Sequence, residues 1–196
     1  PVLDGLRRRQ SLRQALSELR GVLAAGLVAA EAVELSPGVV TTDVEEFARD
    51  LERGEPEAAL RRWESDFLAG LDDIGGEAWR EWLDGERARL QRRLVLALDQ
   101  GSAAAAAGGR WPDARHHADR WRDVDPHDPR AWTRSIEIRL DAGWRDDAAD
   151  LAAAARDVLG DAPSVADPEL AGLQARLVRR PDHLDPRSLL TPEFVG

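Results

Sequence analysis

The sequence has no cysteine, lysine, methionine, tyrosine or asparagine. Without cysteine there is no disulfide framework, no thiolate nucleophile and no cysteine-ligated zinc. Without lysine there is no Walker-type phosphate loop and no Schiff-base chemistry. All 27 basic residues are therefore arginines, set against 37 acids for a net charge of −10 over 196 residues. No apolar run approaches the roughly 18 residues of a membrane span, and the first residues carry no signal-peptide pattern. With no methionine, the chain that starts at Pro1 is read as a processed protein or a fragment. The expectation is a cytoplasmic protein with no membrane partner, made of one domain or one plus a piece of another.

What is present narrows the class. An apolar fraction of 43% is enough to build a core, and a charged fraction of 33% with an acidic balance counts against a nucleic-acid footprint over the whole surface. The charge is unevenly spread. Residues 1–25 hold Arg7, Arg8, Arg9, Arg13 and Arg20 against Asp4 and Glu18, so the N-terminal end is basic and everything after it strongly acidic. Any contact with an anionic partner is expected at that end. Avoidance of lysine, asparagine and tyrosine beside abundant alanine, arginine and glycine is the coding pattern of a GC-rich bacterial genome.

Periodicity predicts a mostly α protein. Leu12, Leu16, Leu19 and Leu23 are spaced by three and four, which predicts an amphipathic helix over 6–24 with Gln10, Arg13, Gln14 and Ser17 on the opposite face and Arg9 and Arg20 beside it. Ala32–Leu35, Ser36-Pro37-Gly38 and Val39–Thr42 read as strand, turn and strand. Asp43 is the expected N-cap of a short helix, with Glu46 completing a capping box and Val44, Phe47 and Leu51 as its buried stripe, ended by Gly54. A helix from Pro56 to Phe67 follows. After the glycines at 70–76, a long helix carries Trp79, Trp82, Leu83, Leu90, Leu94 and Leu98 and runs through the alanines at 103–107 until Gly108-Gly109. Further helices are expected over about 111–123, 128–142, 145–159 and 167–179.

An internal repeat organises these helices. Gly109 is followed by Ala114 and Ala118, and Gly143 by Ala148 and Ala152 at the same offsets, 34 residues on. That is the tetratricopeptide period. Gly54, Ala59 and Trp63 repeat the offsets once more, at a greater distance. Glycine makes the turn between antiparallel helices, and small alanines let those helices approach closely. The expected fold is a tetratricopeptide-like array of antiparallel helical hairpins preceded by a small helix and a β-hairpin.

The order of these elements resembles a known family. Ser11-Leu12-Arg13-Gln14-Ala15-Leu16-Ser17-Glu18-Leu19-Arg20 resembles the recognition helix of bacterial winged-helix activators of the antibiotic-pathway-regulator type, and residues 33–43, VELSPGVVTTD, resemble the wing that follows it. Asp43-Val44-Glu45-Glu46-Phe47, Asp66-Phe67-Leu68-Ala69-Gly70, Glu81-Trp82-Leu83 and Glu86-Arg87-Ala88-Arg89-Leu90 are similar to the bacterial transcriptional activator domain. The resemblance covers about residues 7–180. It implies that 1–42 are the C-terminal end of a winged helix, that 43–180 are the tetratricopeptide-like activator domain, and that 181–196 are a linker. Thr191-Pro192-Glu193-Phe194-Val195-Gly196 resembles the opening of an ATPase module that follows this domain in large regulators. The family's winged helix has a small sheet and two helices ahead of its recognition helix, so the chain is expected to enter that domain near its end, leaving the helix's apolar face without its core.

The resemblance thus implies a fragment of a DNA-binding transcriptional activator, with Arg9, Arg13, Gln14, Ser17 and Arg20 as candidate DNA contacts. In a major groove, arginine can reach guanine or phosphate and glutamine can pair with adenine. Other expected partners are the transcription machinery or a second copy through the helical domain. The alternative is an interaction scaffold of a multidomain signalling ATPase that does not itself bind DNA. Most tryptophans, Trp63, Trp79, Trp82 and Trp121 among them, are expected in the core, and Trp111 beside Pro112 partly exposed. Neighbouring His116 and His117 diverge on a helix. Asp123, Asp125, His127 and Asp128 lack the glycine and the final glutamate of a calcium loop and read as a helix connection. Asp72-Asp73 and Asp146-Asp147 are expected at helix starts, complementing the dipole. No metal, no cofactor and no enzymatic activity are expected.

Overall fold

The computed structural model describes residues 2–23, 27–29, 33–36, 38–160, 172–173 and 175–177. Its elements are α1 (Val2–Leu23), β1 (Leu27–Ala29), β2 (Val33–Leu35), α2 (Asp43–Glu52), α3 (Pro56–Arg62), α4 (Glu77–Ala107), α5 (Trp111–Val124), α6 (Pro129–Asp141) and α7 (Arg145–Leu159). The described part is mostly helical. Residues 172–173 and 175–177 are also helical, and Leu173 is buried against α6 and α7. The rest of the helix expected over 167–179 lies outside the described residues, as does the tail at 181–196.

The β-hairpin sits one strand earlier than expected. β1 and β2 pair antiparallel with Leu27 opposite Leu35 and Ala29 opposite Val33, while Val39–Thr42 form no strand. The expected turn survives as a turn only: Gly38 has φ +81°, and the Val39 N–H donates to the Ser36 carbonyl at 3.3 Å. Thr42 instead caps the next helix. Its hydroxyl caps α2 by accepting from the Glu45 N–H at 3.1 Å, while Glu45 accepts from the Thr42 N–H at 3.3 Å. The capping box therefore begins at Thr42, one residue before the expected Asp43. Glu46, freed from the cap, pairs instead with Arg62 at 2.7 Å.

Three of the inter-helix turns have one construction. Arg53, Gly108 and Ala142 cap α2, α4 and α6, and Gly54, Gly109 and Gly143 follow them at φ +74°, +70° and +82°. In each the glycine N–H reaches back three residues, and the next N–H reaches back five: Glu55 to Asp50, Arg110 to Ala105, Trp144 to Arg139. These are Schellman closures, which need a left-handed residue that only glycine adopts cheaply. The alanines at the repeated offsets, Ala59, Ala114, Ala118, Ala148 and Ala152, are all buried. The repeat in the sequence is thus a repeated cap followed by a repeated close helix contact.

Each helix from α2 onward packs on the next in chain order, and α4 also meets α6. Phe47, Leu60, Leu94, Leu98 and Trp121 form one core cluster joining α2 to α5, and Ile136 with Ala148, Ala152 and Leu173 forms another at the C-terminal end. The 31-residue α4 spans both halves, and its alanine run packs Ala105 against Ala114, Ala118 and Ile138. α3 stops at Arg62, five residues short of the expected Phe67, and residues 63–76 form a long connection to α4.

Candidate nucleic-acid interface and an acid-rimmed apolar cleft

The residues expected to meet DNA all fall on α1. Arg13, Gln14, Ser17 and Arg20 are exposed; the Arg9 side chain lies outside the described residues. Gln14 Nε2 donates to Glu18 at 3.2 Å, so this side chain is held along the helix. The apolar stripe on the other side is also open: Leu12 is 58% exposed, Leu19 is exposed and Leu16 half-buried. Among the larger element contacts α1 meets β1, and the core clusters of the helical body take nothing from it.

The second candidate lies on the connection 63–76. Leu68 has φ +49°, a left-handed conformation that costs a branched side chain about 1–2 kcal/mol. Its geometry is held from α4. Arg87 donates to the Phe67 carbonyl at 3.0 Å, to the Leu68 carbonyl at 3.1 Å and to both carboxylate oxygens of Asp72. Arg87 hydrogen-bonding holds the Asp72 carboxyl below its ordinary pKa, and the guanidinium is raised in turn. Trp79 adds a fourth tie from its indole N–H to the Leu71 carbonyl at 2.8 Å. The stretches 66–70 and 86–90, separate in the sequence, are thus two sides of one clamp. Asp72 sits at no helix start, contrary to the dipole role expected for it; it serves the clamp.

Beneath this connection is a cleft of about 600 Å³, lined by Val44 and Phe47 of α2, by Trp63, Phe67, Leu68 and Leu71 of the connection, and by Leu90 of α4. Asp43 and Asp66 stand exposed at its rim, and the one arginine there, Arg62, is paired with Glu46 and Asp50. Phe67 meets Trp82 edge-on at 6.1 Å, and Trp82 meets Trp79 at 5.0 Å. Trp82 was expected in the core, yet it is 47% exposed. Helical phase put it on the stripe of Trp79 and Leu83, and Leu83 is indeed buried, but the core cluster shared with α2 and α3 takes from α4 only Leu94 and residues after it. Trp121 and Trp132 are buried; Trp63, Trp79, Trp111 and Trp144 are half-buried.

The profile of the bacterial transcriptional activator domain matches residues 41–177. The chain belongs to that family. No curated protein and no solved structure matches it. The matched region begins where Thr42 caps α2, so the capping box, the Arg87 clamp and the helices through α7 are all parts of the activator domain.

A second arginine in this domain escaped the sequence reading. Arg139 of α6 is 3% exposed and donates to both oxygens of Asp119 at 2.9 Å, to Asp147 at 3.0 Å and to the Ser135 carbonyl at 3.0 Å. It ties α5, α6 and α7 together. The available signal was its place in α6, three residues after the core residue Ile136 on the buried side of the helix. Asp128 caps α6 by accepting from the Arg130 N–H at 3.0 Å, so the acidic run 123–128 does serve a helix connection. Asp146 and Asp147 lie in the first turn of α7. Burial, and then the neighbouring His116, lowers the His117 pKa; the two rings lie 5.7 Å apart. Among the described residues no cluster of three or more histidines or acids could hold a metal ion, and no helix is long and apolar enough to cross a membrane.

Proposed function

We propose that this chain is part of a DNA-binding transcriptional activator, with 1–42 the end of a winged helix and 43–180 a tetratricopeptide-like domain that makes protein contacts or self-associates. In this reading α1 is the recognition helix, β1 and β2 the wing, and 181–196 a linker to a further module. The observation that carries it is the family match over 41–177, with a helix earlier in the chain, α1, on which Arg13, Gln14, Ser17 and Arg20 are exposed. The three glycine closures, each followed by buried alanines, support the repeat architecture. The DNA-facing set is Arg9, Arg13, Gln14, Ser17 and Arg20. The protein acts in the cytoplasm without a cofactor, and its domain influences transcription through partners rather than chemistry.

The test is promoter binding by the full-length protein at several salt concentrations. Affinity should fall steeply with salt, as arginine–phosphate contacts release counterions. Arg13→Ala with Gln14→Ala should weaken specific binding about tenfold or more, at roughly 1–3 kcal/mol per lost base contact. Unchanged binding would remove α1 from the DNA. The strongly acidic balance after residue 25 favours one rival, a scaffold of a signalling ATPase with no DNA contact; absence of any salt-dependent binding would establish it.

A further inference from the structure

We infer that the cleft under residues 63–71, together with Ile74 and Trp82, is a docking surface for a basic amphipathic helix of a protein partner. The inference rests on the regulator reading only in assigning that partner to the transcription machinery.

Large apolar groups are exposed here as a continuous surface, and contiguous apolar patches mark interaction sites. Ile74 is 66% exposed and Trp82 47%, with Leu71 also open. Continuity is visible in the contacts. The Gly75 backbone lies so close to Trp79 that an added Cβ would sit 2.3 Å from the Trp79 Cβ; Trp79 packs on Trp82, Trp82 on Phe67, and Phe67 lines the cleft. The surface is held in place. Leu68 keeps its left-handed conformation under two hydrogen bonds from Arg87, so the connection is a fixed wall with a strained residue beside the opening.

Charge identifies the occupant. Residues 64–86 contain eight carboxylates and a single arginine. Arg87 and Arg80 answer Asp72 and Asp73, but Glu64, Asp66, Glu77 and Glu81 are exposed with no ion pair among the described residues. An apolar strip between unanswered carboxylates is complementary to a helix with leucine-like residues on one face and arginine or lysine on its flanks. A small apolar ligand would fill the cleft but leave Ile74, Trp82 and the acids outside it without a role.

The probe is a short synthetic helix with leucines on one face and arginines elsewhere, fluorescently labelled, titrated with the 196-residue chain and followed by anisotropy. Its twin carries glutamate for every arginine. The basic helix should bind, more weakly as salt rises, and the acidic twin should not. Ile74→Ser and Trp82→Ala, both at exposed positions and checked for unchanged circular dichroism, should each weaken binding about tenfold. Asp66→Asn with Glu77→Gln should reduce both affinity and salt dependence. Equal binding of both helices, or binding indifferent to Ile74 and Trp82, would overturn the proposal. So would an apolar dye that fills the cleft while neither helix binds, which would make this a small-molecule site. Transcription from a bound promoter, measured with the same variants in the full-length protein, separates the two readings. Loss of activation with DNA binding intact places the helix in the transcription machinery. Unchanged activation leaves the docking surface and removes that assignment.

Discussion

Arg139 and Arg87 each hold a junction with several hydrogen bonds, but in opposite surroundings. Arg139 is enclosed by α5, α6 and α7, where its charge has left water and depends on Asp119 and Asp147. The Arg87 side chain is 27% exposed, Asp72 stands in solvent, and two of its other acceptors are backbone carbonyls of a surface connection. A buried charge is costly to strand, so Arg139 enforces one arrangement of three helices. A solvated clamp contributes little to global stability and instead shapes the segment it holds. One end of the domain is thus closed by a polar network, and the other presents an apolar wall.

The largest effect should come from stranding the buried charge. Asp119→Ala leaves Asp147 as the one carboxylate bonded to Arg139 and should cost about 3 kcal/mol, read as a lower urea midpoint. A loss no larger than the one expected on removing Arg87 would make the two junctions equivalent. Next in size, Arg87→Ala should cost about 1–2 kcal/mol, a few modest hydrogen bonds. Amide exchange should speed up at 66–72 and stay unchanged in the core of α4; uniform acceleration would show the clamp to be global. Gly109→Ala and Gly143→Ala should each cost about 1 kcal/mol, because both closures need the left-handed conformation. Unequal losses would separate turns that the repeat treats as alike.

The smallest effects concern pH. Burial lowers the His117 pKa, so between its folded value and its ordinary value of 6.5 the unfolded chain binds more protons. Stability should be full above pH 6.5 and decline as pH falls through that window, and His117→Gln should flatten the decline. Asp72 has the opposite chemistry with the same direction: its carboxyl is lowered from 3.8, so its contribution is present above that value and fades only at more acid pH. Midpoints measured from pH 7 to pH 3 in His117→Gln and Asp72→Asn would separate the buried group from the solvated one.

What was legible in the sequence was local. Glycines at fixed offsets marked the turns because a Schellman closure involves only a helix's last residues and the two after it, all in one stretch of chain. The buried alanines followed, since every position after such a turn has a fixed phase on the next helix. The boundaries of α5, α6 and α7 were close to those observed. The capping box slipped by one residue because Thr42 and Asp43 are both good caps, and the competing ion pair from Glu46 to Arg62 spans sixteen positions.

The rest was decided by tertiary structure. Trp82 on α4 and Trp121 on α5 both fit an apolar stripe by phase, but one is 47% exposed and the other 2%, because Trp121 meets the cluster of Phe47, Leu60, Leu94 and Leu98 and Trp82 does not. The hairpin register depended on which partner strand β2 found, and that partner is β1 before it rather than 39–42 after it. Arg139 meets Asp119 and Asp147 from either side in the sequence, and Arg87 meets the 66–72 stretch from fifteen to twenty residues away. Most helices and the glycine turns between them were legible locally, because short-range sterics and hydrogen bonds act within a turn or two. Only the packed structure determined which charges are buried and which aromatics face water, because desolvation is a property of neighbours brought together by folding.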